Sequence, residues 1–309
     1  MKINSSKINI ASLGSFDLEL PILQCGEGSP KLLIINNLHG NELTGFYVLE
    51  RFLANLENIQ GTLTVITTAN PLGLLHKQRL LPLDFTDLNR GYPPLNKERG
   101  IQVALKEKLI ELGMAHDIIF DLHTFLRPSL SAGLLLEQAN ESHQKTAETI
   151  MRVLGTDMIF KMNISGSEEK RVASAFDTFM TRSGKLTVVV EYVPVRQATS
   201  QMIHEYAEGL DHALAILGLT GKKVDLEQFP PKALYERQQI ISRKTGLFIP
   251  EKNLGDEIHE GDTLGFIMDV QNLQKEPLES PYDGMLTEIA GRELYVFGEK
   301  LVTIGKQIQ

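Results

Sequence analysis

Short apolar runs recur along the chain up to Leu219. Runs of about four to eight apolar residues, rich in β-branched side chains, are typical of strands that are covered on both faces of a sheet. The runs lie at 31–36, 63–68, 117–122, 134–136 and 186–192. Each of them predicts a buried strand.

The stretches between these runs place apolar residues three or four positions apart, which is the spacing of an amphipathic helix. In the first of them, Leu43, Phe46, Leu49, Leu53 and Leu56 form one apolar stripe. The pattern predicts helices over 42–56, 97–112, 142–154, 168–181 and 200–217. Strands that alternate with helices predict an α/β domain around a largely parallel or mixed sheet.

The pattern changes after Leu219, where a polar stretch ends in the helix-breaking pair Pro230 and Pro231. Beyond it, short strand-like segments are separated by frequent glycines, which is typical of an all-β unit. We therefore predict an α/β domain over residues 1–225 and a small all-β barrel or sandwich domain over residues 226–309.

Composition limits the partners that the protein can have and the side chains that a metal site can use. The 309 residues contain 31 Lys and Arg against 39 Asp and Glu, a net charge of −8, which argues against a nucleic-acid partner. No apolar run approaches the ~18 residues of a membrane span, and the N-terminus has no apolar signal segment, so we predict a cytoplasmic protein without a membrane partner. Cys25 is the single cysteine, so any metal site must rest mainly on His, Glu and Asp.

Three residues with metal-ligand chemistry follow predicted strands. His39 and Glu42 lie on a strand-to-helix loop, and His123 lies at the carboxyl end of another strand. Two ligands close together and a third far along the chain are a usual arrangement for catalytic zinc, with the fourth position left for water or substrate. Gly40 permits a tight turn that lets the first two side chains converge. A lone histidine at a strand end is more often a surface or capping residue. The prediction of a metal site therefore depends on all three residues together.

The remaining histidines have no partner pattern and favour surface or core roles. They are His76, His116, His143, His204, His212 and His259.

Two other polar positions leave alternatives open. Glu191 ends an apolar strand, where a carboxylate is either an edge-strand charge or a functional group, and its position favours function. The segment 87–90 is either a polar turn or a carboxylate-binding pair, because a guanidinium grips a carboxylate bidentately and an amide adds a directional hydrogen bond.

Four motifs in a fixed order resemble those of the succinylglutamate desuccinylase/aspartoacylase family, within the zinc carboxypeptidase-like superfamily. The motifs are His39-Gly40-Asn41-Glu42, Asp87-Leu88-Asn89-Arg90, Asp121-Leu122-His123-Thr124 and Val190-Glu191. The resemblance covers about residues 30–220, and the tail is similar to the C-terminal β domain of the family. It implies a zinc carboxypeptidase-like mixed-sheet domain with helices on both faces.

The resemblance also implies a catalytic centre. One Zn²⁺ per chain would be held by His39, Glu42 and His123. Glu191 matches the catalytic glutamate, which takes a proton from water and passes it to the leaving amine. Arg79 matches an arginine that stabilises the developing oxyanion.

Further candidate residues lie around that centre, some matched by the resemblance and one by its position in the sequence alone. Asn89 and Arg90 match the pair that holds a substrate carboxylate, and Asp87 is placed to orient a zinc-binding histidine. Arg182, shortly before the strand that ends at Glu191, is a further candidate for substrate contact.

The leading hypothesis is a zinc-dependent hydrolase that cleaves the amide of an N-acylated amino acid. The alternatives are a metallocarboxypeptidase acting on a short peptide and a non-catalytic binding protein that keeps the fold. An insertion at 81–86 and the sequence after Glu191 depart from the family pattern and leave the substrate open. The sequence also leaves open whether the chain forms a homo-oligomer.

The tail lacks the exposed lysine of a biotin or lipoyl carrier over residues 265–270. We expect the tail instead to cover the mouth of the active site. Tyr282 either reaches that site or packs on its own domain.

Overall fold

A large mixed sheet runs through the computed structural model, which describes residues 1–12, 14–15, 17–95, 99–162 and 173–308. The strands are β1 (Asn4–Ser12), β2 (Asp17–Glu27), β3 (Lys31–Asn36), β4 (Gly61–Ile66), β5 (Ile118–Thr124), β6 (Ala132–Leu135), β7 (Met158–Lys161), β8 (Leu186–Tyr192), β9 (Leu234–Ile241), β10 (Gly246–Pro250), β11 (Glu257–Ile258), β12 (Thr263–Met268), β13 (Lys275–Glu279), β14 (Gly284–Ile289), β15 (Leu294–Tyr295) and β16 (Lys300–Ile308). The helices are α1 (Thr44–Asn55), α2 (Pro71–Leu75), α3 (Ile101–Met114), α4 (Glu141–Val153), α5 (Phe176–Arg182) and α6 (Ser200–Ile216), and a 3₁₀ turn spans Leu226–Gln228.

Twelve of the described strands form the large sheet, in the order β1-β2-β4-β3-β5-β8-β6-β7-β9-β16-β14-β11. Its centre is parallel, because β4, β3, β5 and β8 all run in the same direction. The first two strands form an antiparallel hairpin at one edge, and β6 runs antiparallel to β8. The parallel strands therefore end at a common edge.

Helices cover both faces of the parallel centre. Successive side chains of a strand point to opposite faces, and β3 accordingly sends Leu32 and Ile34 to one apolar cluster and Leu33 and Ile35 to another. The first cluster includes side chains of α1, α4 and α6, and the second includes side chains of α3 and α5. Burial on both faces explains why these strands are apolar at consecutive positions.

The predicted α/β fold class with a mixed sheet is confirmed, and each predicted strand overlaps an observed one. The edge hairpin and α2 were not predicted. The hairpin's first strand is mostly exposed and polar, so it carries no buried apolar run. Part of the helix predicted over 168–181 lies outside the described residues, and its remainder contains α5.

The chain after α6 contributes eight described strands. One of them, β9, pairs with β7 in parallel and with β16 in antiparallel fashion, so the tail extends the large sheet. Four others form a second sheet in the order β13-β12-β10-β15. The two groups share an apolar core that includes Ile240, Phe248, Leu264 and Ile304. The boundary at 225/226 stays a prediction.

None of the helices in the described ranges combines the length and the apolar character that crossing a membrane requires.

Candidate functional site

The carboxyl edge of the parallel strands gathers the predicted site residues. His39 follows β3, His123 lies near the end of β5, and Glu191 lies near the end of β8. His123 and Glu191 are register partners on neighbouring strands. Sites in α/β proteins form at this edge because the strand ends and the following loops converge there.

The loop that carries His39 and Glu42 is held in place by Asn37 and Gly40. Asn37 adopts a left-handed φ of 61°, which asparagine tolerates better than most residues, and its side-chain nitrogen donates to the carbonyls of His39 and Glu42, each at 2.9 Å. A Cβ atom on Gly40 would overlap the backbone of Gly73. Glycine at this position therefore lets the loop pack directly against α2.

His39, Glu42 and His123 form a buried cluster. Nδ1 of His39 lies 2.7 Å from Oε1 of Glu42, and Nδ1 of His123 lies 2.9 Å from Oε2 of Glu42. One ligand atom from each residue lies within 4.8 Å of the others. The three side chains thus present two nitrogens and a carboxylate to one small volume.

Nδ1 of His39 indicates what this volume is suited to hold. This atom is buried and makes no hydrogen bond among the described residues, despite its short distance to Glu42. A buried polar atom without a partner is costly. A cation coordinated by both imidazoles and the carboxylate would satisfy it, and the set of two nitrogens and one oxygen suits zinc.

A carboxylate lies next to Nε2 of each histidine, on the side of the ring opposite to Glu42. Nε2 of His39 lies 3.0 Å from Oδ1 of Asp87, and Nε2 of His123 lies 3.2 Å from Oδ2 of Asp121. A carboxylate on the far nitrogen of a metal-binding histidine fixes the tautomer and the ring orientation. Asp121 was not predicted, although it lies two residues before His123 on a strand and therefore on the same face.

The charges in this cluster shift the pKa values of its members. Burial by itself would raise the pKa of Glu42 and of Asp87, but the histidines next to them hold both pKa values well below the usual range. Burial would lower the pKa of His123, but Asp121 and Glu42 outweigh it and raise that pKa well above its ordinary value. The carboxylates of Glu42 and Asp87 are therefore ionised, and they stabilise a positive charge placed next to them.

The cluster forms the floor of a cavity of about 440 Å³, which Glu191 also lines. Burial raises the pKa of the Glu191 carboxyl, and the nearby Glu42 carboxylate adds to the shift, while His123 opposes it. A carboxyl whose pKa lies above its ordinary value is suited to accept and release a proton near neutral pH.

Arg79, Asn89 and Arg90 also line this cavity. The guanidinium of Arg79 donates to Oε1 of Glu42 at 3.2 Å and to Oδ2 of Asp87 at 3.3 Å. The oxygen of the Asn89 side chain accepts from the backbone N–H of Phe176 at 2.9 Å, and its nitrogen lies 3.3 Å from Nε2 of His123. Arg79 and Asn89 are therefore held against the metal-ligand cluster.

Arg182 is not among the described residues that line the cavity. Its guanidinium donates to the carbonyl of Ala173 at 3.2 Å. It lies before the start of β8, whereas Glu191 lies near the other end of that strand. Strand geometry, at about 3.3 Å per residue, separates the two by many ångströms, so the geometry offers no support for a substrate contact by Arg182.

Tyr282 also lies outside the described lining and packs against the apolar core of the tail. Its backbone N–H and carbonyl both contact the hydroxyl of Ser280. Of the two predicted roles, the structure supports packing on its own part of the chain.

The tail strands nevertheless supply a wall of the cavity, which was not predicted residue by residue. Its members are Arg237, Gln239, Glu288 and Lys300. Register explains the grouping, since Glu288 pairs with Thr303 and Thr303 pairs with Gln239 across three strands. The available signal was weak: Glu288 is the one charged residue in its strand, and the structure buries it.

Asp177 is a further cavity residue that the sequence did not single out. It is buried near the start of α5, and its Oδ1 accepts from the hydroxyl of Thr178 at 3.0 Å. Burial and the neighbouring Asp121 raise its pKa.

Comparison with known proteins matches the chain to a family. The catalytic-domain profile of the succinylglutamate desuccinylase/aspartoacylase family matches residues 28–217. The chain is similar to an N-alpha-acetyl-L-2,4-diaminobutyric acid deacetylase of Halomonas elongata, with 24% identity over 285 residues, which are 88% of this chain and 81% of the relative.

Solved structures show the same fold. A succinylglutamate desuccinylase/aspartoacylase from Rhodobacter sphaeroides has a TM-score of 0.82 at 19% identity and covers 99% of this chain and 96% of its own. The product-bound ectoine utilization protein EutE (DoeB) from Ruegeria pomeroyi has a TM-score of 0.84 at 16% identity, covering 98% of this chain and 95% of its own. Since the catalytic-domain profile spans more than half of the sequence, the chain belongs to the succinylglutamate desuccinylase/aspartoacylase family.

Proposed function

We propose that the protein is a zinc-dependent hydrolase that cleaves the amide bond of an N-acylated amino acid. The observation that carries this proposal is the buried cluster of His39, Glu42 and His123 on the floor of a cavity that also holds Glu191. Membership in a family of deacylases supports the reaction type, and the Halomonas relative is by its name a deacetylase of an N-acetylated amino acid.

Zinc fits the donor set of this cluster and, when bound, supplies a Lewis acid for the scissile carbonyl and lowers the pKa of water towards about 7. The chain's own residues prepare its binding. Glu42 faces both histidines through different oxygens, Oδ1 of Asp87 lies at hydrogen-bond distance from Nε2 of His39, and Oδ2 of Asp121 lies 3.2 Å from Nε2 of His123. This arrangement points Nδ1 of each histidine at Glu42, towards the volume in which a cation would be coordinated.

Glu191 is the proposed proton carrier. Its carboxylate takes a proton from the attacking water and gives it to the nitrogen of the leaving amine as the amide bond breaks. Its location in the cavity and its raised pKa both suit this exchange, because the group must hold the proton for part of the cycle.

Arg79 and the Asn89–Arg90 pair are proposed to bind the negatively charged groups of the substrate. Two ion pairs, with Glu42 and Asp87, fix the Arg79 guanidinium beside the cluster, where it would stabilise the oxyanion that develops on the carbonyl. Arg90 lines the cavity and, with the side-chain amide of Asn89, would hold the α-carboxylate.

The tail is proposed to act as a separate β domain over residues 226–309 that closes one side of the cavity. Its contribution of Arg237, Gln239, Glu288 and Lys300 to the lining supports this role. A cytoplasmic location remains part of the proposal, since the substrates would be metabolites.

A substrate panel tests the function. Zinc-loaded protein is incubated with N-acetyl, N-succinyl and N-formyl amino acids and, in parallel, with short peptides, and the release of free amine is measured. The proposal expects turnover of at least one N-acyl amino acid above that of every peptide. Turnover of peptides alone would identify a carboxypeptidase instead, and no turnover of either class, with zinc bound, would favour a binding protein.

A further inference from the structure

We propose that the protein binds a second cation, held by Asp121 and Asp177 on the side of His123 that faces away from Glu42. Its class is a divalent ion that prefers oxygen ligands, such as Mg²⁺, Mn²⁺ or Ca²⁺. The inference goes beyond the proposed function, because it does not depend on which bond the enzyme cleaves.

Three buried side chains with metal-ligand chemistry meet at this second place. One ligand atom each from Asp121, His123 and Asp177 lies within 4.8 Å of the other two. Asp121 and His123 are two residues apart on β5 and therefore share one face of that strand, while Asp177 lies in the first turn of α5. A cation bound here would tie the strand that carries His123 to a helix that packs against the same apolar cluster as that strand.

The carboxylate of Asp121 has fewer partners than its burial demands. The side chain is fully buried, and neither of its oxygens makes a hydrogen bond to any of the described residues. Oδ2 lies 3.2 Å from Nε2 of His123, which leaves Oδ1 without a contact of this kind. Burying an ionised carboxylate costs several kcal/mol unless charges or hydrogen bonds compensate it, so Oδ1 is suited to a cation.

Asp177 brings a second buried carboxylate with one oxygen to spare. Its Oδ1 accepts from the hydroxyl of Thr178 at 3.0 Å and from the backbone N–H of the same residue, whereas its Oδ2 accepts from no group in the described ranges. No lysine or arginine within those ranges forms an ion pair with Asp121 or Asp177. Two buried carboxylates at short distance repel each other, and a cation between them would remove the repulsion.

The hydroxyl of Tyr92 points to a ligand independently of the carboxylates. Its oxygen is buried and has no hydrogen-bond partner in the part of the chain that the structure describes. Burial raises the pKa of Tyr92, and the negative charges of Asp121, Asp87 and Asp177 raise it further, so this oxygen lies near the two carboxylates. Neutral oxygens commonly complete the coordination of oxygen-preferring cations, and the Tyr92 hydroxyl is available as a third ligand.

The donor atoms separate this site from the first one. The cluster of His39, Glu42 and His123 offers two nitrogens and suits zinc, whereas the second site offers mainly oxygens. A shared proton is the competing explanation: if Asp121 and Asp177 held one proton between them, a single negative charge would remain and no cation would be needed. The two explanations differ in whether the zinc-loaded protein takes up a second metal.

The experiment titrates zinc-loaded wild type with Mn²⁺, whose free-ion paramagnetic signal reports binding, and counts both metals per chain by elemental analysis. Zinc should remain at the first site, because a given set of nitrogen and oxygen ligands binds Zn²⁺ more tightly than Mn²⁺. We expect one manganese per chain in addition to the zinc. In Asp177→Asn the affinity for Mn²⁺ should fall by at least the ~10- to 100-fold that loss of a supporting group costs at a metal site, with the zinc count unchanged.

Asp177→Asn is a mild change, because asparagine keeps an oxygen that can accept from Thr178. The matched control is Asp269→Asn: Asp269 is exposed on the tail and accepts from the backbone N–H of Gln271 at 2.7 Å. This control should bind Mn²⁺ as the wild type does. Thermal melts give a second readout, since Mn²⁺ should raise the melting temperature of the zinc-loaded wild type and of the control but not that of Asp177→Asn.

A zinc-loaded wild type that takes up no manganese would overturn the second site and favour the shared proton, whether or not the variant folds. Equal Mn²⁺ affinity in the wild type and Asp177→Asn, or manganese gained only in exchange for zinc, would place the ion elsewhere and overturn the proposal as well. The zinc count is read separately: a wild type that binds no zinc would contradict the proposed function, while the dependence of manganese binding on Asp177 would still decide the second site.

Discussion

Replacing Asp87 with asparagine should weaken metal binding without removing any ligand. Oδ1 of Asp87 lies 3.0 Å from Nε2 of His39, and the carboxylate is ionised because its pKa is held low. Loss of such a partner typically costs about 10- to 100-fold in metal affinity, or ~1.4–2.8 kcal/mol. Asparagine keeps an oxygen that can accept from His39, and the Asp87 side chain is 23% exposed, so water softens the loss of charge. We therefore expect Asp87→Asn to weaken zinc binding by about 10-fold, at the lower end of this range.

The assay is a competition titration of zinc against a chromophoric chelator, run on the wild type and the variant. Asp84→Asn is the matched control: Asp84 is exposed, lies on the same loop, and uses its side-chain oxygen to accept from the N–H of Thr86, which asparagine can also do. Zinc affinity should be unchanged in Asp84→Asn. Wild-type affinity in Asp87→Asn, or an equal loss in both variants, would refute the idea that Asp87 supports a metal-binding His39.

Two predictions concern stability. Gly40→Ala should destabilise the protein by ~1–3 kcal/mol, because the added Cβ would overlap the backbone of Gly73; a thermal melt equal to that of the wild type would contradict the packing of this loop. His116 is buried with Nδ1 2.7 Å from the carbonyl of Leu112 and Nε2 2.9 Å from the hydroxyl of Thr64, and burial lowers its pKa. In the unfolded chain a histidine has a pKa of about 6.5. Below that pH the unfolded chain binds a proton at this position more readily than the folded protein does, so the free energy of unfolding falls as the pH drops. Urea unfolding at pH 8 and pH 5.5 should therefore show a larger loss for the wild type than for His116→Gln, and equal losses would count against a neutral, buried His116.

The parts of the fold that were predictable are those with a local signal. Strands β3, β5 and β8 are buried on both faces and read as apolar runs, so the residues at their carboxyl ends could be grouped into one site. The exposed first strand of the edge hairpin has no such run.

The wall of the cavity shows what the sequence could not supply. Arg237 joins the site because β9 pairs with β7, a non-local contact that no spacing along the chain reveals. Closeness in sequence, conversely, does not place Arg182 at the site. It is close in sequence to the strand of Glu191, but it precedes the start of that strand, and the site lies at the other end.

The central claim is that Glu191 moves protons beside a metal held by His39, Glu42 and His123. The direct measurement is the turnover of the best N-acyl amino acid by zinc-loaded wild type and Glu191→Gln, with the zinc content of each sample determined. We predict that Glu191→Gln keeps one zinc per chain while kcat falls by ~10²–10⁴-fold, as for loss of a general acid–base group. Unchanged turnover in Glu191→Gln with zinc bound would contradict the account.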